Sequence, residues 1–257
     1  MILYIFNILF YLMAFVSFLF YTLKAKNTIK YSLIFIMLGN LLYLVKLIIN
    51  VKSGVVFSNI DAIVAFSGNV IMLFYGILLT KFRNLENIGF IISFIGALFS
   101  MANLRNVFLH QQPSLLNPIF LIHIVSAGLS YSFIMLGGIF SLLKLISEKQ
   151  IKQKKFSKTY VPIYTLIFIE KLSINMSFIF LTITILFGVM WSFYYDRSLY
   201  VDPKIIVISF LWFYYAILVH TYIFKSSKPT TISVLSALGS TITVISVIFI
   251  KHSIITG

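Results

Sequence analysis

The residues of this 257-residue chain with most chemistry to offer are its four histidines, His110, His123, His220 and His252. Cysteine is absent, which excludes disulfides, thiolate metal sites and cysteine nucleophiles. No His-x-x-x-His or His-Glu-x-x-His zinc pair is present, and no Ser–His–acid set can be read. What remains is ligation by imidazoles far apart in sequence. Two imidazoles from different helices at one depth can oppose each other as axial ligands of a haem iron, which one helix alone can hardly arrange. Each can also be an interfacial or packed histidine, and spacing alone leaves both readings open.

The elements that must position these rings are membrane spans. The chain is 60% apolar and 10% charged, with a mean hydropathy of +1.04. Apolar runs of the length needed to cross a bilayer as a helix recur throughout. The pattern predicts an all-α, polytopic membrane bundle of about eight transmembrane helices, over 2–22, 30–49, 60–80, 87–104, 118–145, 167–194, 204–224 and 230–250. One membrane domain, 1–257, is expected, with a looser N-terminal set of four spans (1–104) and a C-terminal core (118–257). No small-residue cleavage site follows the first apolar segment, so it is expected to be retained.

Charge sets the orientation. The net charge is +14. Fourteen of the twenty Lys and Arg residues fall in alternate loops on one side, including Lys144 and the run "ISEKQIKQKKFSKTYVPIY". The basic side is the cytoplasmic one, so both termini are read as extracytoplasmic and the chain as multi-pass in the cell inner (cytoplasmic) membrane. The basic loop reads as a segment for membrane lipid headgroups. No Gly-rich phosphate loop accompanies it, so nucleic acid is not an expected partner.

With that topology His110 lies in the outer loop before the fifth span. His123 lies one turn inside the outer end of that span, and His252 just past the outer end of the eighth. His220 is about 16 residues into the seventh span, roughly 24 Å from Lys204 along a helix, and so in the inner leaflet. Ionisable groups within spans are costly and usually serve a pathway or a ligand.

The ordered motifs around these histidines carry a resemblance. "HIVSAGLSYSFIMLGGIFSLL" sets a histidine ahead of a Ser-Tyr-x-x-Phe helix, and a basic inner loop and "PIYTLIFIEKL" follow. "GVMW" then stands where a Gly-x-x-Trp is expected, before "YVDPK", "YAILVHTY" and a last helix closing on His252. This order resembles the cytochrome c assembly family that includes CcsA, CcmC and the HemX-like membrane proteins, most specifically over 118–257. "VKSGVVFSNIDAI" extends it loosely into the N-terminal half.

The resemblance implies that His123 and His252 are the outer axial ligands of haem, a transiently held haem b. It implies that His220 helps receive or pass on haem within the membrane, and that Asp202, Pro203 and Lys204 close the loop over which haem is displayed. Trp191 supplies aromatic surface nearby. Arg197, Lys204 and Lys251 are cations placed for the propionates. The family's outer W-G-x-x-W-x-W-D loop is replaced: its places hold Tyr195, Asp196, Leu199 and Val201, without the three tryptophans.

The implied function is a haem-handling component of cytochrome c biogenesis, presenting haem at the outer face for attachment to apocytochrome c. Lacking cysteine, the chain cannot itself reduce the apocytochrome thiols. A second membrane subunit with an outer domain is therefore expected, and the chain is at most the membrane subunit of a haem ligation (cytochrome c synthase) complex. The alternatives are a HemX-like effector of haem synthesis and a small-molecule permease with no haem role.

Overall fold

The computed structural model of the chain describes residues 2–23, 28–52, 60–108, 117–194, 203–224 and 226–249. Every regular element described is helical. In order they are α1 (Ile2–Thr22), α2 (Ile29–Lys52), α3 (Ile60–Lys81), a 3-10 turn (Arg83–Ile88), α4 (Gly89–Phe108), α5 (Pro118–Lys152), α6 (Ile163–Tyr194), α7 (Pro203–Phe224) and α8 (Pro229–Phe249). Among the described residues, eight helices are long and apolar enough to cross a membrane. Proline opens α5, α7 and α8, at the position where its missing N–H has no helical partner to lose. Asn117 caps α5 by accepting the Ile119 N–H at 2.8 Å.

The boundaries depart from expectation most at the end of α5, which runs to Lys152 where 145 is expected. α5 has 35 residues and α6 has 32, or about 52 Å and 48 Å, where about 30 Å of hydrocarbon has to be crossed. The first part of the basic stretch, with Lys149 and Lys152, is therefore helix, and 153–162 connects the two. Hydropathy falls there, but Glu, Lys and Gln are good helix formers. The apolar run stops before the helix does.

The polarity of the packing is that of a protein dissolved in lipid. Large apolar side chains such as Met37, Phe193 and Phe213 are exposed, while Ser130, Ser141, Ser173, Ser177 and Ser233 are fully buried. Lipid tails are as apolar as leucine, so helices associate through small residues and interhelical hydrogen bonds.

The chain divides into two compact units, Met1–Leu116 with Gln153–Pro162, and Asn117–Lys152 with Ile163–Gly257. The first is tied together by Asn69, near the middle of α3. Its Oδ1 accepts from Asn7 Nδ2 at 2.9 Å and Tyr11 Oη at 2.7 Å, both on α1, and its Nδ2 donates to Ser100 Oγ on α4 at 3.2 Å. Asn7 Nδ2 also reaches the Gly39 carbonyl on α2 at 2.8 Å, so one buried amide pair ties all four helices.

The second unit is an antiparallel set with its register fixed by side chains. Trp212 Nε1 on α7 donates to Thr182 Oγ1 on α6 at 2.9 Å, and Tyr214 Oη on α7 donates to the Leu235 carbonyl on α8 at 2.6 Å. A Cβ on Gly138 of α5 would collide with Ser240 of α8, so these two helices cross at close range.

Candidate functional site

His123 is half-buried on the second turn of α5, facing α6. Its Nδ1 lies 2.8 Å from the Thr184 carbonyl oxygen. A carbonyl only accepts, so Nδ1 carries the proton and the lone pair of the neutral ring is on Nε2. In an α-helix the same carbonyl already receives the N–H of residue 188. Residue 188 is glycine, and that is what lets the ring in: a Cβ there would stand 2.9 Å from both Cε1 and Nδ1 of His123. Thr184 Oγ1 ties the same level by donating to Ser126 Oγ at 3.0 Å.

One turn towards the start of α5, Phe120 on α5 and Trp191 on α6 meet with ring centroids 4.8 Å apart. Phe120 also lies beside the His123 ring, at 6.4 Å and 27° between planes. The Gly-x-x-Trp element thus has a physical content: the glycine seats the imidazole and the tryptophan packs on Phe120, the ring beside it. His123, Phe120, Gly188 and Trp191 form one small apolar-walled site with an oriented nitrogen lone pair.

His220 lies elsewhere. It is on the penultimate turn of α7, exposed, with Nδ1 bonded to the Ala216 carbonyl at 2.7 Å and its ring stacked on Phe224 at 6.1 Å. Tyr222, two residues on, bonds Glu170 on α6, and Glu170 is 14 residues from Thr184, about 21 Å along that helix. His123 and His220 thus sit at opposite ends of the unit. His110, Asp202 and His252 lie outside the described residues, as do Tyr195 to Val201 and Lys251. Lys204 is in the first turn of α7, with its side chain likewise outside.

The largest polar feature of the second unit is one that hydropathy missed. Lys144, counted above among the cations of the cytoplasmic loops, is fully buried on α5 and paired with the fully buried Glu170 at 3.1 Å. Its ammonium makes two further bonds, to the Pro229 carbonyl at 2.9 Å and Ser233 Oγ at 2.7 Å, both on α8. Glu170 accepts from Ser141 Oγ at 2.6 Å on its other oxygen and from Tyr222 Oη of α7 at 2.6 Å. All three ammonium protons and both carboxylate oxygens are used. A buried pair satisfied in this way avoids the cost of a stranded charge. The available signal was Glu170 itself, an acid within the apolar stretch "PIYTLIFIEKL"; its partner 26 residues away could not be read.

The family profile described as Cytochrome C assembly protein matches residues 2–255, nearly the whole chain and both units. The chain belongs to the cytochrome c assembly protein family. Membership gives it a role in cytochrome c biogenesis, as a multi-pass membrane protein of a family associated with haem handling. Searches among curated proteins and solved structures found no match. Within this family member, the stretch quoted as "GVMW" is the wall against which His123 is seated.

Proposed function

We propose that the protein holds haem as cargo at the outer end of its second unit, with His123 and His252 as axial ligands, and presents it to apocytochrome c. The observation that carries this reading is the seating of His123. A ring fixed by an Nδ1–H···O=C bond, with its lone pair on Nε2, has the arrangement found for histidines that ligate metals. Phe120 and Trp191 beside it offer flat apolar surface of the kind a porphyrin edge packs on.

His220 receives or passes on haem from the inner leaflet, and the Asp202–Lys204 corner closes the outer loop. Arg197, Lys204 and Lys251 pair with the propionates. Haem b is held transiently and leaves when joined to the two thiols of an apocytochrome. Reduction of those thiols and capture of the apocytochrome belong to a second membrane subunit with an outer domain. The cell inner membrane is the site of action.

The test is purification with haem added, followed by absorbance of the oxidised and reduced forms. His123→Ala and His252→Ala are each expected to alter a low-spin bis-imidazole spectrum. If both variants match the parent, the ligand assignment is wrong.

A further inference from the structure

α7 is the least buried of the eight spans found among the described residues, and Leu211, Tyr215 and Leu218 are the buried apolar side chains of its packed face. Its polar ties to the other helices are made by aromatic tips: Trp212 to Thr182, Tyr214 to the Leu235 carbonyl, and Tyr222 to Glu170. The last is the tie nearest His220. Two residues separate by about 200° around a helix. When the Tyr222 hydroxyl is drawn inward to Glu170 Oε2, the ring at 220 is turned to the opposite face, where it is exposed. Glu170 is itself immobilised by Lys144 at 3.1 Å and Ser141 at 2.6 Å, and Lys144 by α8.

We propose that Tyr222 and Glu170 are positioning residues for His220, the Lys144–Glu170 pair acting as a clasp that sets the rotation of α7 and presents the His220 ring outward. That this serves haem rests on the function proposed above. The mechanical content does not, and it can be read with no haem present.

The natural absence of cysteine makes the experiment clean. A single nitroxide is attached through His220→Cys, Leu218→Cys or Tyr215→Cys in the full chain, in lipid, and collisional relaxation by oxygen is measured. The parent profile is expected to be high at 220 and low at the buried positions 218 and 215. Tyr222→Phe, which removes one hydroxyl and leaves the α5, α6 and α8 bonds of the clasp in place, is expected to narrow that contrast, most between 220 and 218. Glu170→Gln is expected to do the same.

Ser141→Ala is the control. It removes a bond to the same carboxylate from α5 and is expected to leave the α7 profile unchanged. An unchanged profile in Tyr222→Phe overturns the proposal, and so does an equal change in Ser141→Ala, which would mean general loosening. If the profile responds as stated while added haem shows no dependence on His220→Ala, the clasp stands and the haem route through His220 falls.

Discussion

Gly188→Ala tests the site at its tightest point. The added Cβ would lie 2.9 Å from Cε1 and Nδ1 of His123, where ordinary contact begins at 3.4 Å. The ring must withdraw by the difference, 3.4 − 2.9 = 0.5 Å. Moved directly away, its bond to the Thr184 carbonyl stretches from 2.8 Å to about 3.3 Å, beyond the useful range of an N–H···O bond. Overpacking of this size costs about 1–3 kcal/mol in a packed interior. Loss of the bond that orients a ligating histidine typically costs about 10- to 100-fold in metal affinity. The assay is titration of the purified protein with haem, followed at the Soret band. Gly76→Ala, whose Cβ would meet only Ile36 Cγ2 at 3.3 Å, serves as a membrane-glycine control in the first unit. The expected result is weakened haem binding in Gly188→Ala alone. Equal affinity for parent and Gly188→Ala would refute the claim that this glycine seats a ligand.

Three further predictions concern stability and pH. Lys144→Met strands the Glu170 carboxylate and is expected to cost about 3–5 kcal/mol in reversible unfolding in detergent. The double variant Lys144→Met with Glu170→Leu is expected to lose less than that single change, because no charge is left unpaired. In the first unit, Asn69→Leu removes the acceptor of Asn7 and Tyr11 and is expected to cost about 1–3 kcal/mol; a parent-like unfolding midpoint would show the knot to be dispensable. Ligation needs the unprotonated Nε2, so protons compete with iron. Haem bound at neutral pH is therefore expected to be released progressively as the pH is lowered, with the bis-imidazole bands vanishing together.

Much of the fold was legible because lipid imposes a simple rule, and eight long apolar runs could become nothing but helices. The starts of α5, α7 and α8 were legible from their prolines. The end of α5 and the start of α6 were not, since hydropathy reports where a helix leaves the hydrocarbon and is silent on where it stops. His123 and Trp191 were readable as candidates. Their meeting through Phe120, and the reason for Gly188, required the register of α5 on α6. The burial of Lys144 was not legible for a related reason. A lysine near a basic run looks solvated, and only the approach of α6 and α8 shows its three bonds.

The depths of these groups decide how many haem-facing sites the second unit can offer. Lys144 is 26 residues from Pro118 and Glu170 is 24 residues from Tyr194, about 39 Å and 36 Å along their helices. Both distances exceed the roughly 30 Å that a helix needs to cross hydrocarbon, and protein on every side desolvates the pair. His220 shares that end through Tyr222, and His123 sits about 21 Å away at the level of Thr184. Two nitrogens on one metal ion, each bonded at about 2 Å, lie only about 4 Å apart. His123 and His220 thus cannot share an iron. Their effects on haem binding are expected to be independent: His123→Ala alters the outer bis-imidazole spectrum whether or not His220 is present, and the double variant shows the sum of the single effects to within about 0.5 kcal/mol. A strong coupling between the two would mean that the rings meet in some state of the protein, and the separation of an inner receiving point from an outer display site would have to be abandoned.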